Sequence, residues 1–128
     1  MKKKILIVVA DYYKHISNGL LKSAQSKLQG SYSISIIKVP GVFEIPVTIS
    51  KNIKKFDAFL ALGCVIKGQT PHFDFISSAS TDAIMQLSIN NKKPVGNGIL
   101  TCLNMRQAKA RIKKGLEASS AIISVLNQ

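Results

Sequence analysis

Asp57-Ala58-Phe59-Leu60-Ala61-Leu62 runs into Gly63-Cys64-Val65-Ile66-Lys67-Gly68-Gln69-Thr70-Pro71-His72-Phe73-Asp74-Phe75-Ile76. The first six residues are the continuous apolar pattern of a strand buried on both faces of a parallel sheet. Gly63, Gly68 and Pro71 then punctuate the chain before a helical pattern begins near Asp74. A strand, a loop and a helix N-terminus in that order form the edge at which open α/β sheets bind ligands. Within the loop lie Lys67, the peptide N–H groups around Gly68 and Gln69, the Thr70 hydroxyl and His72. Backbone donors and a cation can hold a phosphate, and an imidazole is the side chain suited to moving protons near neutral pH.

Upstream, Lys4 to Val9 reads as a first strand, with Asp11-Tyr12-Tyr13 in the loop at its carboxyl end. Ser17 is the expected N-cap of a helix on which Leu20, Leu21, Ala24 and Leu28 recur at helical spacing, closed by Gly30. Tyr32 to Val39 gives a second strand and Pro40-Gly41 a turn. Val42-Phe43-Glu44 falls in the next loop, and Pro46 suits the first turn of a helix whose Ile45, Ile49 and Ile53 align.

Downstream, Ala79, Ala83 and Leu87 form one helical stripe, flanked by Ile76 and Ile84. Asn90 to Lys93 is a turn, and Pro94 to Leu100 a fourth strand in which Gly96 and Gly98 imply close backbone approach or a bulge. Thr101 to Asn104 ends that strand. Met105 to Lys113 is a short helix broken by Gly115, and Leu116 to Leu126 a terminal helix. The order βαβαβαβαα, with short loops, predicts one domain with a right-handed parallel sheet covered on both faces.

Composition narrows the function classes. The 128 residues are 46% hydrophobic, with no Trp, which suits a packed core of Ile, Leu, Val and Ala. No apolar run approaches the ~20 residues that span a bilayer, and Asp11-Tyr12-Tyr13 stands where a secretion signal would need a small-residue cleavage site. The reading is therefore a cytoplasmic protein with no membrane partner. Cys64 and Cys102, with two His, offer neither a disulfide scaffold nor a metal spacing. The formal charge is +12, but the lysines are scattered along the chain and read as solvated surface rather than a nucleic-acid stripe. Attraction of anionic small substrates is a secondary consequence.

Such a sheet gathers its strand-end loops on one rim. Tyr12 and Tyr13, Phe43 and Glu44, Cys64 to His72, and Thr101 to Asn104 are expected there together. Each has a plain alternative: Tyr12 as a half-buried loop aromatic, Phe43 as packing, Glu44 as a helix-dipole partner, His72 and Arg111 as solvated surface.

Three blocks taken together resemble lumazine synthase. They are Val39-Pro40-Gly41-Val42-Phe43-Glu44-Ile45-Pro46, the segment Leu62 to Asp74, and Gly98-Ile99-Leu100-Thr101 with Gln107-Ala108 and Arg111. The resemblance runs from about Lys4 to the C-terminus. It implies a flavodoxin-like three-layer sandwich whose four-stranded parallel sheet has the order 2-1-3-4. It also implies condensation of 5-amino-6-(D-ribitylamino)uracil with 3,4-dihydroxy-2-butanone 4-phosphate to 6,7-dimethyl-8-ribityllumazine, phosphate and water.

Position by position, the resemblance makes Tyr12 the aromatic that stacks on the pyrimidine and Phe43 and Glu44 the lining of the ribityl chain. Cys64, Val65 and Ile66 would meet the pyrimidine through backbone groups. Gly68, Gln69 and Thr70 would form the phosphate loop with Arg111, and His72 would carry protons. Asn97 stands where many members have Phe, and Lys114 is the best match to the family's active-site lysine. Neither a metal nor an organic cofactor is implied.

The fourth-strand region and Arg111 would come from a neighbouring subunit, giving a homopentamer or a multiple of pentamers. Riboflavin synthase would be a further partner. The short N-terminus, compared with capsid-forming members, leans toward free pentamers. Two rivals remain at this point. A flavodoxin-like binder without turnover would not need His72, Thr70 and Arg111 together. A basic nucleic-acid module would need a continuous cationic stripe.

Overall fold

The computed structural model describes residues 2–128. Four strands, β1 (Lys4–Ala10), β2 (Ser33–Val39), β3 (Ala58–Ile66) and β4 (Val95–Cys102), form one parallel sheet in the order β2-β1-β3-β4. Their registers are continuous: Ile7 pairs with Ile36 on one side and Leu60 on the other, and Leu60 pairs with Gly96. The expected order 2-1-3-4 and the three-layer α/β sandwich are what the structure shows.

Alternation along each strand sorts the core into two layers. Ile5, Ile7, Val9, Leu60 and Leu62 face α1 (Lys14–Leu28), α4 (Met105–Ala110) and α5 (Lys114–Leu126), meeting Ile16, Leu20, Ala108 and Ile122. Leu6, Val8, Phe59 and Ala61 face α2 (Ile45–Lys51) and α3 (His72–Asn91), meeting Ile45, Ile49 and Ile84. Both faces of β1 and β3 are thereby removed from water, which is why their sequences are apolar without a period of two.

Several local expectations give way to packing. Ser17 does not cap α1, which starts three residues earlier at Lys14. Its buried hydroxyl instead donates to the carbonyls of Ala10 and Tyr13, tying the helix start to the end of β1. β3 does not stop at Leu62 but continues to Ile66, because β4 supplies partners from Gly63↔Ile99 through Ile66↔Cys102. Gly63 is thus a strand glycine. A Cβ there would stand 2.8 Å from Val42 Cγ2, so its bareness lets the 3-10 turn Val42–Glu44 settle on the strand.

Gly115 likewise lies inside α5 rather than breaking a helix. A Cβ at that point would collide with the Leu20 carbonyl, and its absence allows α5 to cross α1 closely. The interruption between α4 and α5 falls in the turn around residues 111–113. Gly96 and Gly98 answer to close approach, since an added Cβ at Gly96 would stand 2.8 Å from the Ala118 carbonyl, and the unbroken β3–β4 register leaves no bulge.

On α3 the inward stripe is Phe73, Ile76, Ser80, Ile84 and Leu87, while Ala79 is exposed. Small alanines tolerate either side, and the bulkier residues fix the rotation. No helix among the described residues is long and apolar enough to cross a membrane.

Candidate active site

All four strands point the same way, so their carboxyl ends share one rim, and two hollows open there. The first, about 540 Å³, is walled by Tyr12 and Tyr13 after β1, the turn Gly41–Glu44 after β2, Cys64 to Ile66 at the end of β3, and His72 with Ile76 at the start of α3. The second, about 590 Å³, lies where β4 meets the α4–α5 turn, with Asn97, Arg111, Lys113, Lys114 and Glu117 among its walls. Both fall in the size range of small-molecule sites.

Each side chain of the first hollow has an identifiable support. Tyr12 is 73% exposed, and its ring stands edge-on to that of Tyr13, with centroids 4.9 Å apart and planes at 83°. Phe43 projects outward, 68% exposed, from the 3-10 turn, and Glu44 beside it is half-buried. Thr48 donates a hydrogen bond to the Glu44 carbonyl (2.8 Å), joining the turn to α2. Cys64 and Val65 are buried in β3 and form the floor.

The floor is uncharged near neutral pH. Burial pushes the Cys64 thiol up to about 12, and the Cys102 thiol beside it adds to this. Burial first, and then Tyr12 and Cys64, raise the Tyr13 phenol. Neither group offers a charge to a ligand in the hollow. Both cysteines are free thiols.

Between β3 and α3 the chain turns outward. The Lys67 N–H donates to the Cys102 carbonyl (2.9 Å), adding a last rung beyond β3. Gly68, Gln69 and Thr70 follow as an exposed loop. The Thr70 hydroxyl accepts a long hydrogen bond from the His72 N–H (3.4 Å), and the His72 imidazole is exposed on the first turn of α3. The loop leads into the N-terminus of a 20-residue helix, where unpaired N–H groups favour an anion.

The second hollow has a different character. Asn97 is exposed on the edge strand β4, and its side-chain oxygen accepts from the Ile99 N–H (3.0 Å). Arg111 is exposed at the end of α4, and Lys114 is half-buried at the start of α5. Asn104 caps α4 by accepting from the Gln107 N–H (2.9 Å), and the Gln107 side chain returns a bond from the Leu103 N–H (2.8 Å). That reciprocal pair fixes the helix which carries Arg111 at its end. The single ion pair among the described residues is Lys14–Asp11, so Arg111 and Lys114 are left free to meet an anion.

Of the residues picked out in the sequence, Tyr12, Phe43, Glu44, Cys64, Val65, Ile66 and His72 meet around one hollow. Asn97, Arg111 and Lys114 meet around the other, and within one chain the two sets stay apart. Gly68, Gln69 and Thr70 sit on the rim beside His72 without lining either hollow. Tyr13, expected on the rim beside Tyr12, also lines the first hollow, as does Ile76, whose signal was the inward face of α3. No group of three His, Cys, Asp or Glu side chains among the described residues could hold a metal ion.

A family model described as 6,7-dimethyl-8-ribityllumazine synthase matches residues 2–128. The chain belongs to this family. Proteins named 6,7-dimethyl-8-ribityllumazine synthase are similar to it along most of its length. One from Cutibacterium acnes is 39% identical over 132 residues, covering 96% of this chain and 80% of that relative. Others from Bartonella tribocorum and Bartonella bacilliformis are 44% and 46% identical, covering 89% and 87% of this chain and 80% and 76% of the relatives. Membership in the lumazine synthase family makes the chain a transferase-class enzyme of riboflavin biosynthesis, acting on small molecules.

Proposed function

We propose that the chain condenses 5-amino-6-(D-ribitylamino)uracil with 3,4-dihydroxy-2-butanone 4-phosphate to 6,7-dimethyl-8-ribityllumazine, phosphate and water. The observation that carries this reading is the grouping of Tyr12, Phe43, Glu44, the Cys64–Ile66 floor and His72 around one uncharged-bottomed hollow. The pyrimidine stacks on Tyr12 above the peptide groups of Cys64 to Ile66. Its ribityl chain runs toward Phe43 and Glu44, whose carboxylate accepts hydrogen bonds from hydroxyls. The phosphate of the second substrate rests on Gly68, Gln69 and Thr70 at the N-terminus of α3, with Arg111 gripping it bidentately.

The substrate's own amine is the nucleophile, so the protein's task is orientation and proton transfer. The amine adds to the butanone carbonyl and loses water as an imine. A proton then leaves the hydroxyl-bearing carbon as phosphate departs from its neighbour, and the resulting enol becomes a ketone. The ribityl-substituted nitrogen closes the ring on that ketone with loss of a second water. His72, beside both the pyrimidine hollow and the phosphate loop, is the proton carrier for imine formation and phosphate departure.

One chain does not bring Arg111 to His72, which supports an assembly in which the second hollow of one subunit closes over the first hollow of the next. A homopentamer, or a multiple of it, completes each site in this way, with Asn97 and Lys114 facing the pyrimidine from the neighbour. The cytoplasm is the compartment, and riboflavin synthase, which consumes the product, is a further partner. The test is direct: purified protein supplied with both substrates gives the absorbance of the lumazine and releases phosphate, and absence of both would remove the reading. Sizing in solution checks the assembly, and a monomer with full turnover would contradict the shared site.

A further inference from the structure

The two tyrosines at the mouth of the first hollow are adjacent in sequence but held very differently. Tyr13 packs against the core layer on the α1 side of the sheet. Its carbonyl accepts hydrogen bonds from the Ser17 N–H (2.9 Å) and the Ser17 hydroxyl (3.0 Å), so its backbone is tied to the first turn of α1. The same hydroxyl reaches the Ala10 carbonyl, which locks the end of β1 to the helix start. Tyr12 has no such anchorage. Its ring is 73% exposed, belongs to neither core cluster, and meets one aromatic neighbour, Tyr13.

An exposed aromatic on a loop samples several rotamers, and a ligand that stacks on it must first select one. An edge-to-face contact removes that freedom, because the quadrupoles of two rings favour the perpendicular arrangement. In such a pair at least one face of Tyr12 stays open.

We propose that Tyr13 is a positioning residue, whose ring holds the Tyr12 ring at the mouth of the hollow so that an open face of Tyr12 is already aimed at the pyrimidine substrate. This rests on the reading that Tyr12 stacks on that substrate. The Tyr13 hydroxyl makes no hydrogen bond among the described residues, so the ring itself does the holding. The phenol, raised above its ordinary value by burial first, stays neutral across the working pH range, which leaves the quadrupole contact undisturbed. Specificity for the neutral ring over the phosphate substrate thus depends partly on a wall residue that acts through its neighbour.

The test uses the full chain in its native assembly, with Tyr13→Leu, Tyr13→Phe, Tyr12→Ala and the double variant Tyr12→Ala/Tyr13→Leu. Tyr13→Leu is expected to raise KM for the pyrimidine by about tenfold, with KM for the butanone phosphate unchanged. Tyr13→Phe should restore the pyrimidine KM, since it keeps the ring. In the Tyr12→Ala background the Leu substitution should add nothing further, because there is no ring left to hold. Equal losses with and without Tyr12, or an unchanged pyrimidine KM in Tyr13→Leu, would overturn the proposal.

A second measurement is independent of turnover. The order of the Tyr12 ring, read by carbon relaxation of a labelled side chain, should fall in Tyr13→Leu and be kept in Tyr13→Phe. An inactive wild type would count against the proposed reaction, whereas an active wild type whose Tyr12 ring is equally ordered in every Tyr13 variant would sink the positioning role alone.

Discussion

The two hollows on the rim are opposites. One has aromatic walls, a floor of buried thiol and aliphatic groups, one carboxylate at Glu44 and one imidazole at His72. The other has Arg111, Lys113 and Lys114 set against Glu117, and no aromatic at all. The first can hold a flat, neutral, hydroxyl-bearing molecule and move its protons, but has no fixed cation for a phosphate. The second can neutralise a phosphate, but has nothing on which a ring could stack. The proposed reaction, which joins a pyrimidine to a butanone phosphate, needs both kinds of surface, and one chain keeps them apart. The division of chemistry between the hollows is the physical argument for a site completed by a second copy.

That contrast can be broken at each side. His72→Ala should have the largest effect, lowering kcat by about 10²–10⁴-fold, the usual worth of a general acid–base group, with the pyrimidine KM nearly unchanged. An unaltered rate would strip His72 of its role. Co-expressing the His72→Ala chain with an Arg111→Ala chain sharpens the point, because random mixing leaves roughly a quarter of the shared sites with both residues intact. Recovered turnover in the mixture is the expected result; activity no higher than the sum of the parents would place both residues in one chain's site.

Arg111→Ala alone should raise KM for the butanone phosphate by about 10–150-fold, equivalent to about 1.5–3 kcal/mol for a lost charged hydrogen bond. The pyrimidine KM should stay put, and an equal loss for both substrates would contradict the assignment. The smallest effect concerns the floor of the first hollow. Cys64 is raised from near 9 to about 12 by burial and Cys102. Below pH 9 the thiol is protonated both folded and unfolded, and stability does not depend on it. Between pH 9 and about 12 the unfolded chain ionises while the folded one does not, so stability falls as pH rises, and Cys64→Ala should flatten that slope in chemical unfolding.

Much of the site could be read from the chain because parallel strands gather their carboxyl-end loops on one side. Tyr12, Phe43, Glu44 and His72 were expected on a shared rim for that reason alone, and they line one hollow. The position of Cys64, Val65 and Ile66 was less legible. Gly63 looked like the start of a loop, whereas pairing with β4 carries the strand three residues past it. A glycine that makes room for a neighbour has the same letter as one that turns the chain, and only the Val42 side chain above it tells them apart. Gly115 misled for the same reason, its partner being the Leu20 carbonyl on a helix far away in sequence.

By itself the sequence determined the alternation of strands and helices, the burial of β1 and β3 on both faces, and the identity of the rim residues. Those features depend on local hydrophobic pattern and on the handedness of parallel crossovers, both written along the chain. The tertiary structure decided how Asn97, Arg111 and Lys114 meet around one hollow, the edge-on stance of the Tyr12 and Tyr13 rings, and where β3 ends. Each of these depends on contacts between residues far apart in sequence, or on ring orientation within a packed layer, and neither is carried by the order of residue types.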